Sequence, residues 1–388
     1  MLKELDVIVG EKGISIAGPV FFIAEISFSH GGSLSEAHRL ADAAAECGAD
    51  AVRVRTSRAG RAKLPDTGRS GSDSEAGLLP FDQTALGWED LKRLKGHADA
   101  RQILLIATPD DEESADFLHE VDIVAFQVAS CNLTHLPLLR HVASKGRPVL
   151  LSTGMSYMGE VAEAVLTLKS AGAKSVVLMH SVVTHPAAPE SLNLRAVATL
   201  YRHFELPVGY ADHSQGTLFA LSAAILGATV IEKPLALDSG SAREPCPAAI
   251  GPSEMRSLIK SIRMVELSLG DGRKRPSTTE ASARSNTRRS IIAAVDIRAH
   301  ESIARWMLAC DRPGTGLEPR RMEQLVGMRS RRDIAKGTLL SWDDLSVSSR
   351  LSLHLDEEPA EALLVGRINR SAVSRGQAAR RDSGAGSG

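Results

Sequence analysis

The chain has 388 residues, of which 43% are hydrophobic and 24% charged, an ordinary composition for a folded protein with a sizeable core. A formal net charge of −1 and an isoelectric point near 6.9 provide no field that would attract nucleic acid or a membrane surface, so neither is expected as a partner. The four cysteines form no C-x-x-C pair and no apolar run reaches the about 20 residues of a membrane span, which predicts a protein of the reducing cytoplasm.

From about residue 20 onward, apolar strand patterns alternate with segments of helical spacing. We count eight strand–helix units, whose strands read VFFIAEIS, AVRVR, ILLIA, IVAFQVA, PVLLS, SVVLMHS, PVGYA and TVIEK. Parallel strands covered by helices are buried on both faces and read as unbroken runs of Val, Ile and Leu. Eight units in about 250 residues predict an α/β fold, a TIM (β/α)8 barrel over residues 1–270, with a doubly wound open sheet as the alternative.

Three further segments differ from this alternation. Residues 57–87 are rich in Gly, Ser and Pro, and we expect them to form a mobile lid over the barrel mouth. Residues 271–289 are polar and basic and predict a linker, and residues 290–348 contain short apolar pieces split by turns, as in a small β-rich domain. Residues 349–388 are polar and predict a disordered tail.

The active site of a TIM barrel is built from the C-terminal ends of its strands and the loops after them. In this chain those positions carry acids, histidines, arginines and hydroxyls. They are Glu25, Ser29, His30, Arg53, Arg55, Thr108, Gln127, Ser130, Ser152, Thr153, His180 to His185, Asp212, His213, Glu232 and Lys233. The sequence therefore predicts a site at this end of the barrel.

Some of these positions indicate a particular chemistry. The hydroxyls of LSTGMS precede a helix, whose free amides and dipole favour a phosphate or carboxylate. Arg53 would be costly to bury unpaired, so it requires either Glu25 or a substrate anion as its partner. His213 fits a metal ligand, an acid–base group or a core histidine, and the pattern alone leaves these three open.

The order and spacing of several motifs resemble those of the sialic acid synthase family, which makes N-acetylneuraminic, legionaminic and pseudaminic acids. The motifs include FFIAEISFSHGGSL, FQVASCNLTHLPLL, PVLLSTGMS, NLRAV, PVGYADHSQGTLFALSAAILGATVIEK, DRPGTGL and GMRSRRDIAKGTLLSWDDL. The likeness extends from about Val20 to Leu345. It implies a TIM barrel followed by a small antifreeze-like (β-clip) domain at 290–348.

The resemblance also implies a reaction. Family members condense phosphoenolpyruvate with the open-chain form of an N-acetylated hexosamine, releasing phosphate and forming a nine-carbon 2-keto acid, with a divalent metal held by two strand-end histidines. A homodimer is implied, in which Arg312 of the antifreeze-like domain reaches the barrel of the partner subunit. Carried over by position, the catalytic set is Glu25, Asp212, His213 and Glu232, the substrate-binding set is Arg53, Gln127, Ser130, Ser152 and Arg312, and the metal ligand is His213.

The sequence departs from the family pattern at the same site. Arg53 and Gln127 stand where the family has the two lysines that bind phosphate, so one cation is missing, and Arg55 is the candidate to compensate for it. Val183 and His185 replace a polar contact and a tyrosine, which predicts altered sugar recognition. Pro234 occupies the position of the second metal histidine, and proline has no ligand atom on its side chain.

Three functions remain open after these observations. The first is a diverged synthase of this family that condenses phosphoenolpyruvate with an altered amino sugar or aldehyde, and in which Mg²⁺ or Mn²⁺ is bound weakly or is absent. Glu232, His180 and His185 are then the candidates to replace the missing histidine. The second is a catalytically impaired member that acts as a binding or regulatory subunit, and the third is another carbon–carbon lyase or a sugar-binding enzyme on the same barrel.

Overall fold

The computed structural model describes residues 7–27, 29–56, 86–237 and 246–346. The chain divides into two compact units, with the boundary between Gly272 and Arg273. The predicted lid falls almost wholly on residues outside the described ranges, as does the predicted disordered tail.

The first unit is built on a closed barrel of eight parallel strands. In chain order they are β3 (Phe21–Glu25), β4 (Ala51–Arg55), β5 (Leu104–Thr108), β6 (Ala125–Val128), β7 (Val149–Ser152), β8 (Val176–Ser181), β9 (Val208–Ala211) and β10 (Val230–Pro234). Each strand pairs with the next along the chain, and β10 pairs with β3 to close the barrel. The predicted TIM barrel is confirmed.

Helices follow the strands in the alternation that the sequence predicts. They are α1 (Leu34–Cys47), α2 (Trp88–Ala100), α3 (Glu112–Glu120), α4 (Leu136–Ser144), α5 (Met158–Ser170), α6 (Ala196–Phe204), α7 (Leu218–Ile225) and α8 (Pro252–Leu269). Local sequence sets their ends: the Ser33 hydroxyl caps α1, and Gly48 ends it in the left-handed conformation. None of the described helices is long and apolar enough to cross a bilayer.

Alternate residues of each barrel strand face opposite sides. On β3, Phe22 and Ala24 pack in the cluster shared with the helices, whereas Phe21 and Ile23 belong to a separate cluster inside the barrel. A hairpin of β1 (Val7–Val9) and β2 (Lys12–Ile14) packs into this interior cluster at the N-terminal end of the barrel. At the other end, where the strands have their C-terminal ends, the interior side chains of the described barrel include buried polar groups such as Arg53, Gln127 and Glu232.

The second unit is small and mixed. Helix α9 (Thr278–Thr287) precedes two antiparallel pairs, β11 (Ser290–Ala293) with β12 (Leu308–Asp311) and β13 (Arg329–Ser330) with β14 (Leu345–Ser346). A short helix α10 (Met322–Leu325) lies between the pairs. The core includes Ile291, Ile297, Ile303, Leu325, Ile334 and Leu340.

Helix α9 lies inside the segment that the sequence predicts to be a linker. The Ser277 hydroxyl accepts the Glu280 amide at 3.2 Å, and the Glu280 carboxylate accepts the Ser277 amide at 2.9 Å. This reciprocal capping satisfies two donors that a helix end would otherwise leave unpaired, so a polar segment with no buried face still forms a helix.

Candidate active site

A cavity of about 210 Å³ opens at the C-terminal ends of the barrel strands. Its walls come from seven of the eight strands and from the loops that follow them. The lining residues are Arg53, Arg55, Thr108, Gln127, Ala129, Ser130, Cys131, Ser152, Met155, Ser181, Val183, His185, Ala211, His213 and Glu232. Most of the predicted site residues of the barrel are therefore brought to one place.

Arg53 is buried between two carboxylates. Its Nη2 atom lies 3.4 Å from Glu25 Oε1 and 3.1 Å from Glu232 Oε1, and Nη1 lies 3.4 Å from the Thr108 hydroxyl. Burial lowers the pKa of Arg53, but the two carboxylates outweigh it and the pKa is raised overall. The buried charge thus has the partner that the sequence requires, and it stands at the edge of the cavity.

Glu25 is fully buried beside Arg53 and does not line the cavity. Its Oε1 accepts the Ser27 amide at 2.7 Å, and no described residue forms a hydrogen bond with Oε2. Burial raises the pKa of Glu25, with the Arg53 charge acting in the opposite direction. The environment therefore favours the neutral acid more than an exposed site would.

Glu232 uses both carboxylate oxygens within the protein. Oε1 faces Arg53, and Oε2 accepts a hydrogen bond of 2.7 Å from Gln127 Nε2. A lysine at position 127 would bring a second positive charge to the two carboxylates, whereas glutamine brings none. The described cluster of Glu25, Glu232, Arg53 and Gln127 therefore holds two acids and one guanidinium, and Arg55 adds a second guanidinium to the cavity lining.

The loop after β7 brings hydroxyl and amide groups to the cavity. The Gly154 amide donates to Ser130 Oγ at 3.0 Å, and Ser130 Oγ lies 3.3 Å from Ser181 Oγ. A Cβ atom on Gly154 would come within 2.8 Å of Ser130 Oγ and 2.9 Å of a Val183 methyl group, so only glycine fits. The predicted anion-binding motif thus lies at the cavity wall together with Ser152.

Reasoning from the sequence missed several lining residues, among them Cys131 and Met155. Cys131 directly follows Ser130, and Met155 lies two residues after Thr153, so their nearness to predicted site residues is the signal that could have found them. Met155 is 66% exposed and has a φ of 60°, a left-handed backbone that is uncommon outside glycine.

His213 and His185 lie together on one side of the cavity. His213 Nδ1 is 2.6 Å from the Val182 carbonyl oxygen, which can only accept, so Nδ1 carries the proton and Nε2 carries a lone pair. The rings of His185 and His213 are in contact, with centroids 4.1 Å apart and their planes tilted by 31°. Burial is the main cause that lowers the pKa of His213 to about 4 and that of His185 to about 3.

His180 and Asp212 face the helices rather than the cavity. His180 donates from Nε2 to the Leu192 carbonyl oxygen at 2.8 Å and lies beside Tyr210. Asp212 is fully buried and forms an ion pair of 2.9 Å with Lys233, which has the same outward orientation. Neither residue lines the cavity, although the sequence places Asp212 in the catalytic set and His180 among the replacement metal ligands.

The sequence EKP, Glu232 to Pro234, lies at the end of β10, and its side chains alternate between the two faces of the strand. Glu232 faces the interior and Lys233 faces the helices, so the alternation of the strand returns Pro234 to the interior. Pro234 pairs in register with Glu25 and is buried. A histidine at this position would point toward the same interior as His213, and proline leaves that position without a ligand atom.

The described residues do not form a metal site with three protein ligands. His213 Nε2 is available, but Arg53 and Gln127 already occupy both oxygens of Glu232. A single imidazole nitrogen is a poor fit to a tightly held divalent ion.

Two known protein-family profiles match this chain, one over the barrel and one over the second unit. The profile of the NeuB family matches residues 40–274, about three fifths of the chain, and covers the barrel strands from β4 onward. The chain belongs to the NeuB family. The profile of the SAF domain matches residues 288–346. The predicted membership of the sialic acid synthase family, with its antifreeze-like (SAF) domain, is thereby confirmed.

Several NeuB relatives have curated names. N,N'-diacetyllegionaminic acid synthase of Legionella pneumophila is 35% identical over 84% of this chain and 94% of the relative. N-acetylneuraminate-9-phosphate synthase of Mus musculus is 30% identical over 72% of this chain and 82% of the relative. Both are named as synthases, which confirms the prediction of a synthase-type enzyme.

A solved structure shows the same architecture. The crystal structure of spore coat polysaccharide biosynthesis protein SpsE from Bacillus subtilis is 32% identical and has a TM-score of 0.61. The match covers 89% of this chain and all of that one. The NeuB barrel and SAF domain therefore account for nearly the whole described chain.

Proposed function

We propose that this protein condenses phosphoenolpyruvate with the open-chain form of an N-acetylated hexosamine or a related aldehyde, giving a nonulosonic acid and phosphate. The observation that carries the proposal is Arg53, a buried guanidinium at the edge of a hydroxyl-rich cavity in a NeuB-family barrel. A dianionic phosphate ester and its carboxylate need such a cation and several hydrogen-bond donors.

The proposed reaction uses one molecule of water. The enol π electrons of phosphoenolpyruvate form the new carbon–carbon bond to the aldehyde carbon, and the carbonyl π electrons move to the aldehyde oxygen. Water adds to C2 of phosphoenolpyruvate, and the tetrahedral product loses phosphate as its C2–oxygen bond breaks. One proton from water goes to the aldehyde oxygen and the other to phosphate, so atoms and charges balance.

The cavity residues divide between two tasks in this scheme. Arg53, Ser130 and Ser152 bind phosphoenolpyruvate, and the Gly154 amide holds Ser130 in place. The neutral imidazole of His213 carries a lone pair on Nε2 and can take a proton from the attacking water.

The aldehyde substrate should differ from that of the named relatives. Val183 and His185 line the cavity, and the ring of His185 is in contact with that of His213 at the same wall. An apolar side chain and an aromatic ring favour a substituent with fewer hydroxyl groups.

We also propose that the active form is a homodimer in which Arg312 reaches the barrel of the second subunit. Arg312 is exposed on the SAF unit and follows Asp311 at the end of β12. Sedimentation of the wild-type protein at micromolar concentration should give a dimer. The variant Arg312→Ala should have lower activity but should remain a dimer. A monomer would remove the basis for this arrangement.

A second candidate function is supported by Pro234 and Gln127. Together they remove one metal ligand and one cation from the expected site, as in a family member retained as a binding or regulatory subunit. Such a protein would bind an anion in the cavity without turning it over.

Phosphate release decides between the two functions. Wild-type protein is incubated with phosphoenolpyruvate and a panel of N-acetylated hexosamines, with and without millimolar Mg²⁺ or Mn²⁺. We expect wild-type protein to release phosphate in the presence of one sugar. The rate of release should be at least about 100-fold lower in Arg53→Met, because the negative charge of the transition state loses the Arg53 guanidinium that stabilises it. Lys169→Met, on the exposed surface of α5, should behave as wild type. No phosphate with any sugar would favour the binding subunit.

A further inference from the structure

Lys233 is a lysine with no exposed surface on the helix-facing side of β10. Its Nζ atom donates to Asp212 Oδ2 at 2.9 Å and to the Ser214 carbonyl oxygen at 2.6 Å. Burial lowers the pKa of Lys233, and the Asp212 carboxylate opposes that effect. The two partners of the ammonium group are thus the residues immediately before and after His213.

Asp212 extends this contact into a closed network. Its Oδ1 accepts the Ser214 amide at 3.0 Å, the Ser214 hydroxyl at 2.6 Å and the Tyr210 hydroxyl at 3.3 Å. Asp212 and Ser214 are also buried. The turn that carries His213 is therefore fixed through the main chain and side chains on both of its flanks.

His213 is held independently from the other side of the barrel wall. Its Nδ1 donates to the Val182 carbonyl oxygen, and its own carbonyl oxygen accepts the Ala187 amide at 2.9 Å. The Val182 contact fixes the tautomer and the ring, but it cannot fix the turn from which the ring extends. Lys233 supplies that second restraint from the opposite face.

A structural role alone does not account well for a buried lysine at this position. Buried ion pairs contribute little net stability, because desolvation of the two charges offsets most of their attraction, and apolar residues of similar volume serve equally well. The position is surrounded by the apolar cluster between strands and helices. An apolar residue in place of Lys233 could fill the same volume, but it could not donate hydrogen bonds to both the Asp212 carboxylate and the Ser214 carbonyl oxygen.

We propose that Lys233 is a positioning residue that clamps the turn Asp212–His213–Ser214 and so aims His213 Nε2 into the cavity. This inference rests on the proposed function for its effect on turnover. Its effect on the geometry of His213 is independent of any activity.

The test separates charge pairing from positioning. Lys233→Met leaves Asp212 buried without its counter-ion, so this variant should lose both stability and turnover. In the double variant Lys233→Met/Asp212→Asn the buried pair is neutral, and the amide oxygen of asparagine can still accept from Ser214 and Tyr210. The double variant should regain most of the thermal stability but not the restraint on Ser214. Lys169→Met is the matched control.

Two readouts follow His213 in the folded double variant. In ¹⁵N NMR of histidine-labelled protein, the His213 signals, assigned with His213→Gln, should shift and broaden, because a turn released on its Ser214 side weakens the contact of Nδ1–H with the Val182 carbonyl oxygen. If the synthase reaction is present, kcat should fall about 100-fold while KM for phosphoenolpyruvate changes less than about threefold, since Arg53 and Ser130 are untouched.

The outcomes are distinct. A double variant with wild-type His213 signals overturns the inference, and so does one with altered signals but wild-type kcat. Inactive wild-type protein contradicts the proposed function, but the NMR comparison still decides whether Lys233 positions His213.

Discussion

Gln127 donates a hydrogen bond of 2.7 Å to Glu232 at the position where the family pattern has a cationic side chain. The second oxygen of Glu232 is 3.1 Å from Arg53, which also faces the Glu25 carboxylate. One guanidinium thus serves two acids before any substrate arrives. An incoming phosphate must compete with these carboxylates for Arg53.

This competition predicts that Gln127→Lys improves binding of phosphoenolpyruvate. A lysine would form an ion pair with Glu232, so Arg53 would be less strongly paired with that carboxylate and could bind the substrate phosphate more readily. We expect KM to fall about tenfold, which corresponds to about 1.4 kcal/mol. Gln127→Met is the control, since it removes the hydrogen bond without adding charge. A KM that stays equal or rises in Gln127→Lys would contradict the competition.

Gly154→Ala should distort the cavity wall. The new Cβ would lie 2.8 Å from Ser130 Oγ, closer than atoms in contact allow, so the loop or the serine must move. We expect a stability loss of about 1–3 kcal/mol and a higher KM for phosphoenolpyruvate. Gly159→Ala on α5 meets no atom within 4 Å and should leave both quantities unchanged. Equal behaviour of the two variants in urea unfolding and kinetics would refute the close-approach explanation.

His30 should make the protein sensitive to acid. It is 2% exposed, and burial lowers its pKa to about 4, below its ordinary value of about 6.5. Above pH 6.5 the His30 imidazole is neutral in both the folded and the unfolded state. As pH falls from about 6.5 to about 4, only the unfolded state takes up the proton, so the free energy of unfolding decreases by up to about 3 kcal/mol.

The corresponding variant is His30→Gln. Urea unfolding at pH 7.5 and 5 should show a smaller decrease in the free energy of unfolding than in wild type. His119→Gln, at an exposed histidine on α3, should keep the wild-type decrease. The assignment to His30 is wrong if His30→Gln and wild type lose the same stability over this pH interval.

Metal affinity should depend on position 234. With one imidazole nitrogen and an engaged Glu232, wild-type protein should bind Mn²⁺ or Mg²⁺ only at millimolar concentration. Pro234→His adds an inward-facing ligand next to Glu25 and should tighten Mn²⁺ binding at least about tenfold in calorimetric titration. Pro234→Ala removes the ring without adding a ligand and should bind as wild type. Tight binding by wild type would overturn this account of position 234.

Much of the fold was predictable because the signals are local. Eight apolar runs alternating with amphipathic segments predicted the barrel, and the strand ends predicted where the cavity lies. The faces taken by Glu232, Lys233 and Pro234 became clear only in the folded strand, where Glu232 pairs with Arg53 and Lys233 pairs with Asp212. Helix α9 was missed, since its capping pair, Ser277 and Glu280, lies in a segment whose composition is that of a linker.

The partners of the site residues could not be predicted in the same way. The sequence set Arg53 between two possible partners, Glu25 and a substrate anion, whereas the folded barrel brings Glu232 to it from a strand about 180 residues away. Asp212 belongs to a site motif, but its buried pair with Lys233 turns it toward the helices. Such pairings depend on barrel closure and on side-chain direction across strands, and only the tertiary structure decides these, because the contacting residues are distant in the chain.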